Sequence, residues 1–453
     1  TKVENTTIPM RIAVNTRMLL PNKLEGIGWY TYEVLRRMVT DHPEHEFIFL
    51  FDRDYDPDFV FGENVRPVVL FPPARHPFLF MVWFDWAIPR ALRRFRADVF
   101  FSPDGFLSLR TRVPTLLTIH DLAYKHFPDQ VGGMASWYYR TYMPRFMQRA
   151  DRIVTVSEAT RLDVIDSGVD TGKVMVSYNG ANPRFAPQGP EEGQRIRDQF
   201  TGGDPYFLYV GAIHPRKNVT RLVRAYTRFK EATGAPHKLV LLGRMAWMAE
   251  DTRAAIQGSS CREEIIQVGY QGDDLPAFYS GAEALVYVSL FEGFGIPIVE
   301  AMGCETAVIT SDRSSMAEVA GEAALLVDPG SEESIATAMS RLVSEPGLRD
   351  QLIERGRERK QRFDWDRAAR EVWSLLEELG NADQRQAVIF APIEHRTRIM
   401  GKSSRYRYVS RREKWNRTRR NVNLVLIFGS IWAVLWMIMK RHEIIGWLKT
   451  YTY

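Results

Sequence analysis

The sequence predicts an α/β protein: two doubly wound units in series, a closing helix, a strongly basic segment and one membrane-spanning helix. Three observations carry this prediction. First, 453 residues exceed what one hydrophobic core usually holds undivided. Second, from Met10 to Asn381 short apolar or β-branched runs alternate with amphipathic helical stretches, the pattern of parallel sheets covered on both faces. Third, the segment after residue 383 has a composition unlike anything before it.

The first unit, 10–188, offers strands at Arg11–Asn15, Glu46–Phe51, Val65–Phe71, Val99–Ser102, Thr115–Ile119 and Arg152–Val156. Gly189–Pro205, rich in Gly, Pro and charge, reads as a linker. The second unit, 206–363, offers strands at Tyr206–Val210, Lys238–Leu242, Ile265–Val268, Ala284–Val288, Thr306–Thr310 and Ala324–Val327. Within 364–381, Asp364–Leu379 (DWDRAAREVWSLLEEL) is a capped amphipathic helix that closes the body.

Composition narrows the function classes. Hydrophobic residues make up 45% and charged residues 25%, which excludes wholesale disorder and a polytopic membrane protein. Two cysteines, Cys261 and Cys304, form neither a disulfide framework nor a four-thiolate metal site, so a reducing compartment is expected. Charge is unevenly placed. Gln384–Tyr453 holds 15 Lys/Arg against 3 Asp/Glu, leaving 45 against 52 in the remainder. A net-acidic body argues against nucleic acid as a partner.

In the tail, a basic linker (382–421) leads to the charge-free run 422–439, VNLVLIFGSIWAVLWMIM. Eighteen residues in a helix span about 27 Å, enough to cross a bilayer core. Trp415 on one side and Trp447 and Tyr451 on the other occupy the interfacial positions. The arginine-rich side then faces the cytoplasm, leaving 440–453 as a short tail outside. The predicted localisation is therefore the cytoplasmic face of the inner (plasma) membrane, with a single-pass C-terminal anchor; a buried or interfacial helix is the alternative. Phe78–Trp86 beside Arg90, Arg93, Arg94 and Arg96 reads either as a second membrane face or as core.

Open parallel sheets bind ligands at the carboxyl ends of their strands, so the residues after each apolar run are where chemistry is sought. Leu290–Met302, LFEGFGIPIVEAM, places Glu292 and Glu300 eight apart around Gly293, Phe294 and Gly295, with Pro297 suited to a helix's first turn. A carboxylate there can accept both hydrogen bonds of a ribose diol while loop amides face sugar hydroxyls. Tyr209–Asn218, YVGAIHPRKN, puts Arg216 and Lys217 at the start of a helix, where a leaving diphosphate would find two cations and free amides. Thr115–Leu122, TLLTIHDL, puts His120 at the mouth of the first sheet. The alternatives are a capping carboxylate, a solvated cation pair and a structural imidazole.

Together with GIG at Gly26–Gly28, ADRIVTVSE at Ala150–Glu158, VSYNGANPRF at Val176–Phe185 and SSMAEVAG at Ser314–Gly321, these segments resemble the family 4 retaining glycosyltransferases. The resemblance covers Arg11–Leu379 and is closest in motif form to bacterial surface-polysaccharide mannosyltransferases. It implies two facing Rossmann-like domains, the glycosyltransferase-B fold. It also implies transfer of a hexose, mannose favoured, from a nucleotide-diphosphate sugar (GDP-mannose favoured) to a glycan or lipid-linked acceptor, with retention, without a metal ion and without a further cofactor.

By the same resemblance Arg216 and Lys217 hold the diphosphate and Glu300 the ribose. Glu292 with Gly293, Phe294 and Gly295 holds the transferred sugar, His120 sits near the acceptor hydroxyl, and Gly28 approaches donor phosphate or acceptor. Two positions depart from the family pattern: Ala212 stands where many members place arginine, and Cys304–Ala307 lacks the usual Gly and Pro. A sugar-nucleotide epimerase and a non-catalytic membrane-anchored scaffold are the rival readings. A dehydrogenase is weaker, since no G-x-G-x-x-G follows Arg11–Asn15.

Overall fold

The computed structural model describes residues 9–389, apart from 22–23, 75–76, 247 and 270. Its first sheet comprises β1 (Arg11–Asn15), β2 (Glu46–Phe51), β3 (Val65–Val69), β4 (Val99–Ser102), β5 (Thr115–Ile119), β6 (Arg152–Thr155) and β7 (Val174–Val176), in the order β3-β2-β1-β4-β5-β6-β7. The second comprises β8 (Tyr206–Val210), β9 (Lys238–Leu242), β10 (Ile265–Val268), β11 (Ala284–Tyr287), β12 (Ala307–Ser311) and β13 (Leu325–Val327), in the order β10-β9-β8-β11-β12-β13. Every pairing is parallel, so the strands must be covered on both faces. The central ones, such as β4, β5, β8 and β11, are buried at every residue. β7 was not anticipated; three residues with a half-exposed Met175 carry too little pattern.

The helices used below are α1 (Gly26–Asp41), α2 (Ile88–Phe95), α3 (Gly133–Arg149), α4 (Glu158–Asp166), α5 (Pro190–Thr201), α6 (Val219–Thr233), α7 (Leu275–Gly281), α8 (Ile296–Gly303), α9 (Ser314–Ala320) and α10 (Trp365–Ile389). Each sheet has one point where the strand order reverses, between β1 and β4 in the first and between β8 and β11 in the second. Loops leaving neighbouring strands on either side of such a point diverge and leave a crevice.

Two expectations are corrected and one alternative is decided. The stretch expected to be a linker, 189–205, is mostly α5. Its Ile196 is fully buried, and its Phe200 lies 5.0 Å from Phe278 of α7. The composition is polar because only one face of this helix is covered. The closing helix runs past 381 to Ile389 and packs against the first sheet's side: Trp373 stacks on His42 at 3.6 Å, and Asp366 and Glu378 pair with Arg37 and Arg152. The aromatic run before α2 is core rather than a membrane face, since Trp83 and Phe84 are buried and Phe80 packs on Phe84, Phe106 and Tyr138 of α3. Among the described side chains of this run, Trp86 is the exposed one, at 44%. Among the described residues no helix is long and apolar enough to cross a membrane. The span expected at 422–439 and the basic run before it lie outside them.

Candidate functional site

The reversal point of the second sheet gathers the charged residues singled out in the sequence. After β8 the chain turns through Pro215–Lys217 to Asn218, which takes a left-handed conformation at φ 62°. The Asn218 amide donates to Val288 O at 2.9 Å and to Pro329 O at 2.8 Å, fixing this turn beside the segment that follows β11. Lys217 Nζ thereby lies 2.6 Å from Glu292 Oε1 and 2.8 Å from the Tyr287 hydroxyl, which itself donates to Glu292 Oε1 at 2.9 Å. Arg216 Nη1 reaches Phe291 O at 2.8 Å and Glu292 Oε2 at 3.3 Å.

Burial pushes the Glu292 carboxyl up, but Lys217 and Arg216 overcome it and hold the pKa at about 2. His214 is held down to about 4, first by burial and then by the same two cations, so it stays neutral at neutral pH. Two cations therefore share one carboxylate as their direct partner, while the Asp121 carboxylate also acts on Arg216.

Glu292 is fixed through its backbone as well, because Ser314 Oγ and Ser315 Oγ at the start of α9 donate to its carbonyl at 2.7 and 2.8 Å. The following Gly293 lies against the first domain. A Cβ there would come within 1.9 Å of His120 O, so only glycine fits. Gly295, at φ 98°, turns the chain into α8. Phe294 points away, 4% exposed and packed on Tyr178 and Phe363, which leaves its backbone alone toward the crevice.

Glu300 stands apart from this cluster. It lies in the body of α8, where Tyr279 of α7 donates to Oε2 at 2.8 Å. Among the described residues no cation hydrogen-bonds to it, and burial, opposed by the Tyr279 hydrogen bond and the charge of Arg184, raises its pKa to about 7. The two glutamates of Leu290–Met302 are thus opposite in character. His120 Nε2 lies 2.7 Å from Pro103 O; a carbonyl only accepts, so Nε2 carries the proton and Nδ1 a lone pair. Burial lowers its pKa and keeps it neutral. Gly28 is packed inside the first domain, where a Cβ would lie 2.9 Å from Met18 O, while Gly26 faces Ile296 of the second.

The structure thus joins Arg216, Lys217, Glu292, Gly293 and His120, and sets Glu300 and Gly28 apart. Sequence reasoning missed Tyr287, Tyr279, Ser314 and Ser315. It also missed Arg244, after β9, whose Nη2 lies 3.8 Å from Glu25 Oε1 beside α1. Ser314 and Ser315 stand in the quoted SSMAEVAG segment with no role attached, and Arg244 gave a signal of its own, a cation directly after a strand's Gly243.

Residues 24–185 match the family model described as Glycosyltransferase Family 4, and residues 191–359 match that for Glycosyl transferases group 1. The chain belongs to glycosyltransferase family 4. This glycosyltransferase is 27% identical over 279 residues to the O-antigen chain mannosyltransferase B of Escherichia coli, covering 61% of the present chain and 73% of that protein. Sucrose-phosphate synthase from Thermosynechococcus elongatus superposes with a TM-score of 0.68 at 21% identity, over 82% of this glycosyltransferase and all of that chain. HepE of Anabaena in complex with UDP-glucose gives a TM-score of 0.65 at 15% identity, over 82% and 100% of the two chains. At those identities the likeness establishes the fold of this glycosyltransferase, the two parallel sheets of the glycosyltransferase-B class.

Proposed function

We propose that this glycosyltransferase moves a hexose, mannose in preference, from a nucleoside-diphosphate donor such as GDP-mannose to a glycan or lipid-linked acceptor, with retention and without a metal ion or further cofactor. The observation that carries the reading is the sharing of one carboxylate, Glu292, by Lys217 and Arg216 at the second sheet's reversal point. The fixed guanidinium and ammonium groups, with His214 neutral beside them, suit a diphosphate. As the bond from the sugar's anomeric carbon to the diphosphate breaks, negative charge grows on the leaving group, and two fixed cations stabilise it without having to reorganise. Glu292 and the backbone of Gly293–Gly295 take hydroxyls of the hexose, and Glu300 takes those of the ribose. His120 stands on the acceptor side. The acceptor oxygen bonds to the face the diphosphate leaves, and its proton passes to the departing phosphate oxygen. The preference for mannose is supported by similarity to the Escherichia coli mannosyltransferase.

The test is a screen of nucleotide sugars against thermal unfolding of the full chain. GDP-mannose is expected to protect best, by about 2.7 kcal/mol at a hundredfold excess over Kd, with and without EDTA. If no nucleotide sugar protects, the reading fails. If the nucleotide sugar turns over with no acceptor present, the epimerase reading replaces it.

The tail carries a proposal of its own. The apolar run 422–439, behind eleven Lys/Arg between 396 and 420, holds the body at the cytoplasmic face of the plasma membrane near a lipid-linked acceptor. Truncation after Ile389 is then expected to leave nucleotide binding intact and to move the protein from the membrane to the soluble fraction. Continued sedimentation with membranes would contradict it.

A further inference from the structure

A helix leaves its first amides without partners unless something outside it supplies acceptors. At the start of α4, Ser157 Oγ accepts from Thr160 N at 3.1 Å, which serves one of them. The next two are served from the other domain. Glu318 Oε1 accepts from Glu158 N at 2.7 Å, and Oε2 accepts from Ala159 N at 3.0 Å. A carboxylate astride two amides at the positive end of a helix is a charge-assisted arrangement. Here it joins groups 160 positions apart in the chain.

Glu318 stands on α9, and the first residues of α9 are Ser314 and Ser315, whose hydroxyls hold Glu292 O. Ser157 reaches the same loop directly, since its Oγ lies 2.6 Å from Gly293 O. The amino end of α4 thus grips the Glu292 and Gly293 carbonyls by three routes: through Ser157, through Thr160 Oγ1, which lies 3.3 Å from both Gly293 O and His120 O, and through Glu318 and α9. These routes converge where Gly293 meets His120 O without room for a side chain. Among the described residues, neither Glu318 nor Ser157 bonds the side chains of Arg216, Lys217, Glu292 or Glu300.

We infer that Glu318 and Ser157 form an interdomain latch: positioning residues that seat the Glu292–Gly293 carbonyls against His120 when the two domains are engaged. The inference rests on the reading of Glu292–Gly295 as the donor-sugar loop. Since the latch lies outside the cations proposed for the diphosphate, the nucleotide binds without it. Transfer needs the sugar held in register with the acceptor side, so the chemical step depends on it.

The test uses the full chain, with GDP binding and mannosyl transfer from GDP-mannose as separate readouts. Glu318→Ala is expected to keep GDP affinity within about twofold while kcat falls about 10- to 100-fold, the scale of hydrogen bonds to a charged group. Hydrogen exchange at the Glu158 and Ala159 amides should quicken in the same variant. Glu318→Gln retains one acceptor oxygen and should recover part of kcat. GDP affinity falling in step with kcat, or kcat unchanged while those amides exchange faster, would overturn the latch. Should Glu318→Ala fail to fold, Ser157→Ala carries the same expectation in smaller measure, kcat lower by about 3- to 10-fold at unchanged GDP affinity. The donor reading fails separately: Lys217→Ala binding GDP normally would refute it whatever Glu318 does.

Discussion

The two sheets carry the same kind of pair at the same topological place, with different stoichiometry. In the first, Arg17 follows β1 and Asp104 follows β4, on either side of the reversal point, and they form an ion pair. In the second, Arg216 and Lys217 follow β8 and Glu292 follows β11, again on either side of the reversal point. The first pair is one to one, so it is neutral. Its guanidinium lies 4.7 Å from the Phe80 ring and 5.0 Å from Phe106, and its carboxylate also accepts from Ser102 Oγ and Phe106 N. The second is two to one, backed by the Tyr287 hydroxyl and followed by a glycine loop. Topology therefore supplies the crevice, and the lining decides its use: a one-to-one pair walled by phenylalanine is structure, and on the proposed reading two cations on one carboxylate receive an anion.

The comparison breaks most sharply under single truncations. Arg17→Ala leaves Asp104, whose side chain is 1% exposed, without its cation, and the expected cost is about 3–5 kcal/mol of folding stability. Donor affinity of the folded fraction should be unchanged. Chemical denaturation read beside nucleotide titration checks both, and a stable Arg17→Ala protein with weakened donor binding would reverse the assignment of the two pairs. Lys217→Ala leaves Glu292 with Arg216, so the carboxylate keeps a partner and the loss of stability is smaller. The loss of affinity should be larger, about 100-fold for a nucleoside diphosphate, the worth of a strong charge-assisted contact. Unaltered affinity would take Lys217 out of the site.

The same contrast explains what could be read from the sequence. Strands such as Val99–Ser102 and Tyr206–Val210 announce themselves because both faces are buried and the apolar run has no polar interruption. Arg216, Lys217, Glu292 and His120 were legible because they follow such runs. Their pairing was not, since Lys217 and Glu292 lie 75 positions apart and meet only because β8 and β11 are neighbours. Arg17 and Asp104 occupy equally telling positions and were passed over, because one cation and one acid two residues beyond a strand look like ordinary loop charge. Glu318 falls within the quoted segment Ser314–Gly321, but its role was not legible, its partners being backbone amides in the other domain. The departure at Cys304–Ala307 proves local, as expected of a turn: Glu305 adopts φ 57°, a conformation glycine takes freely, and its carboxylate pairs with Arg357 at 2.7 Å.

The smallest expected effect separates the two glutamates of Leu290–Met302. Glu292 is held at about 2 by its cations, and Glu300, bonded to Tyr279 and lacking such a pair, is pushed by burial to about 7. A carboxyl raised on folding holds its proton where the unfolded chain has released it, so its contribution to stability is greatest below about 4.5 and declines as pH rises toward 7. Donor binding should run the other way, because ribose hydroxyls donate to the ionised form. The proton must leave before or during binding, so affinity for GDP-mannose should climb about tenfold between pH 6 and pH 8 and level off above. GDP-mannose is the better probe than GDP, since a substituted diphosphate has no secondary ionisation in that range. His214, held near 4, stays neutral throughout, and Glu292 stays ionised. Glu300→Gln should therefore bind with a nearly flat profile. An equal slope in Glu300→Gln, or a flat profile in the unaltered protein, would show that the ribose is held by some other group and that Glu300 shares with Arg17 a structural role.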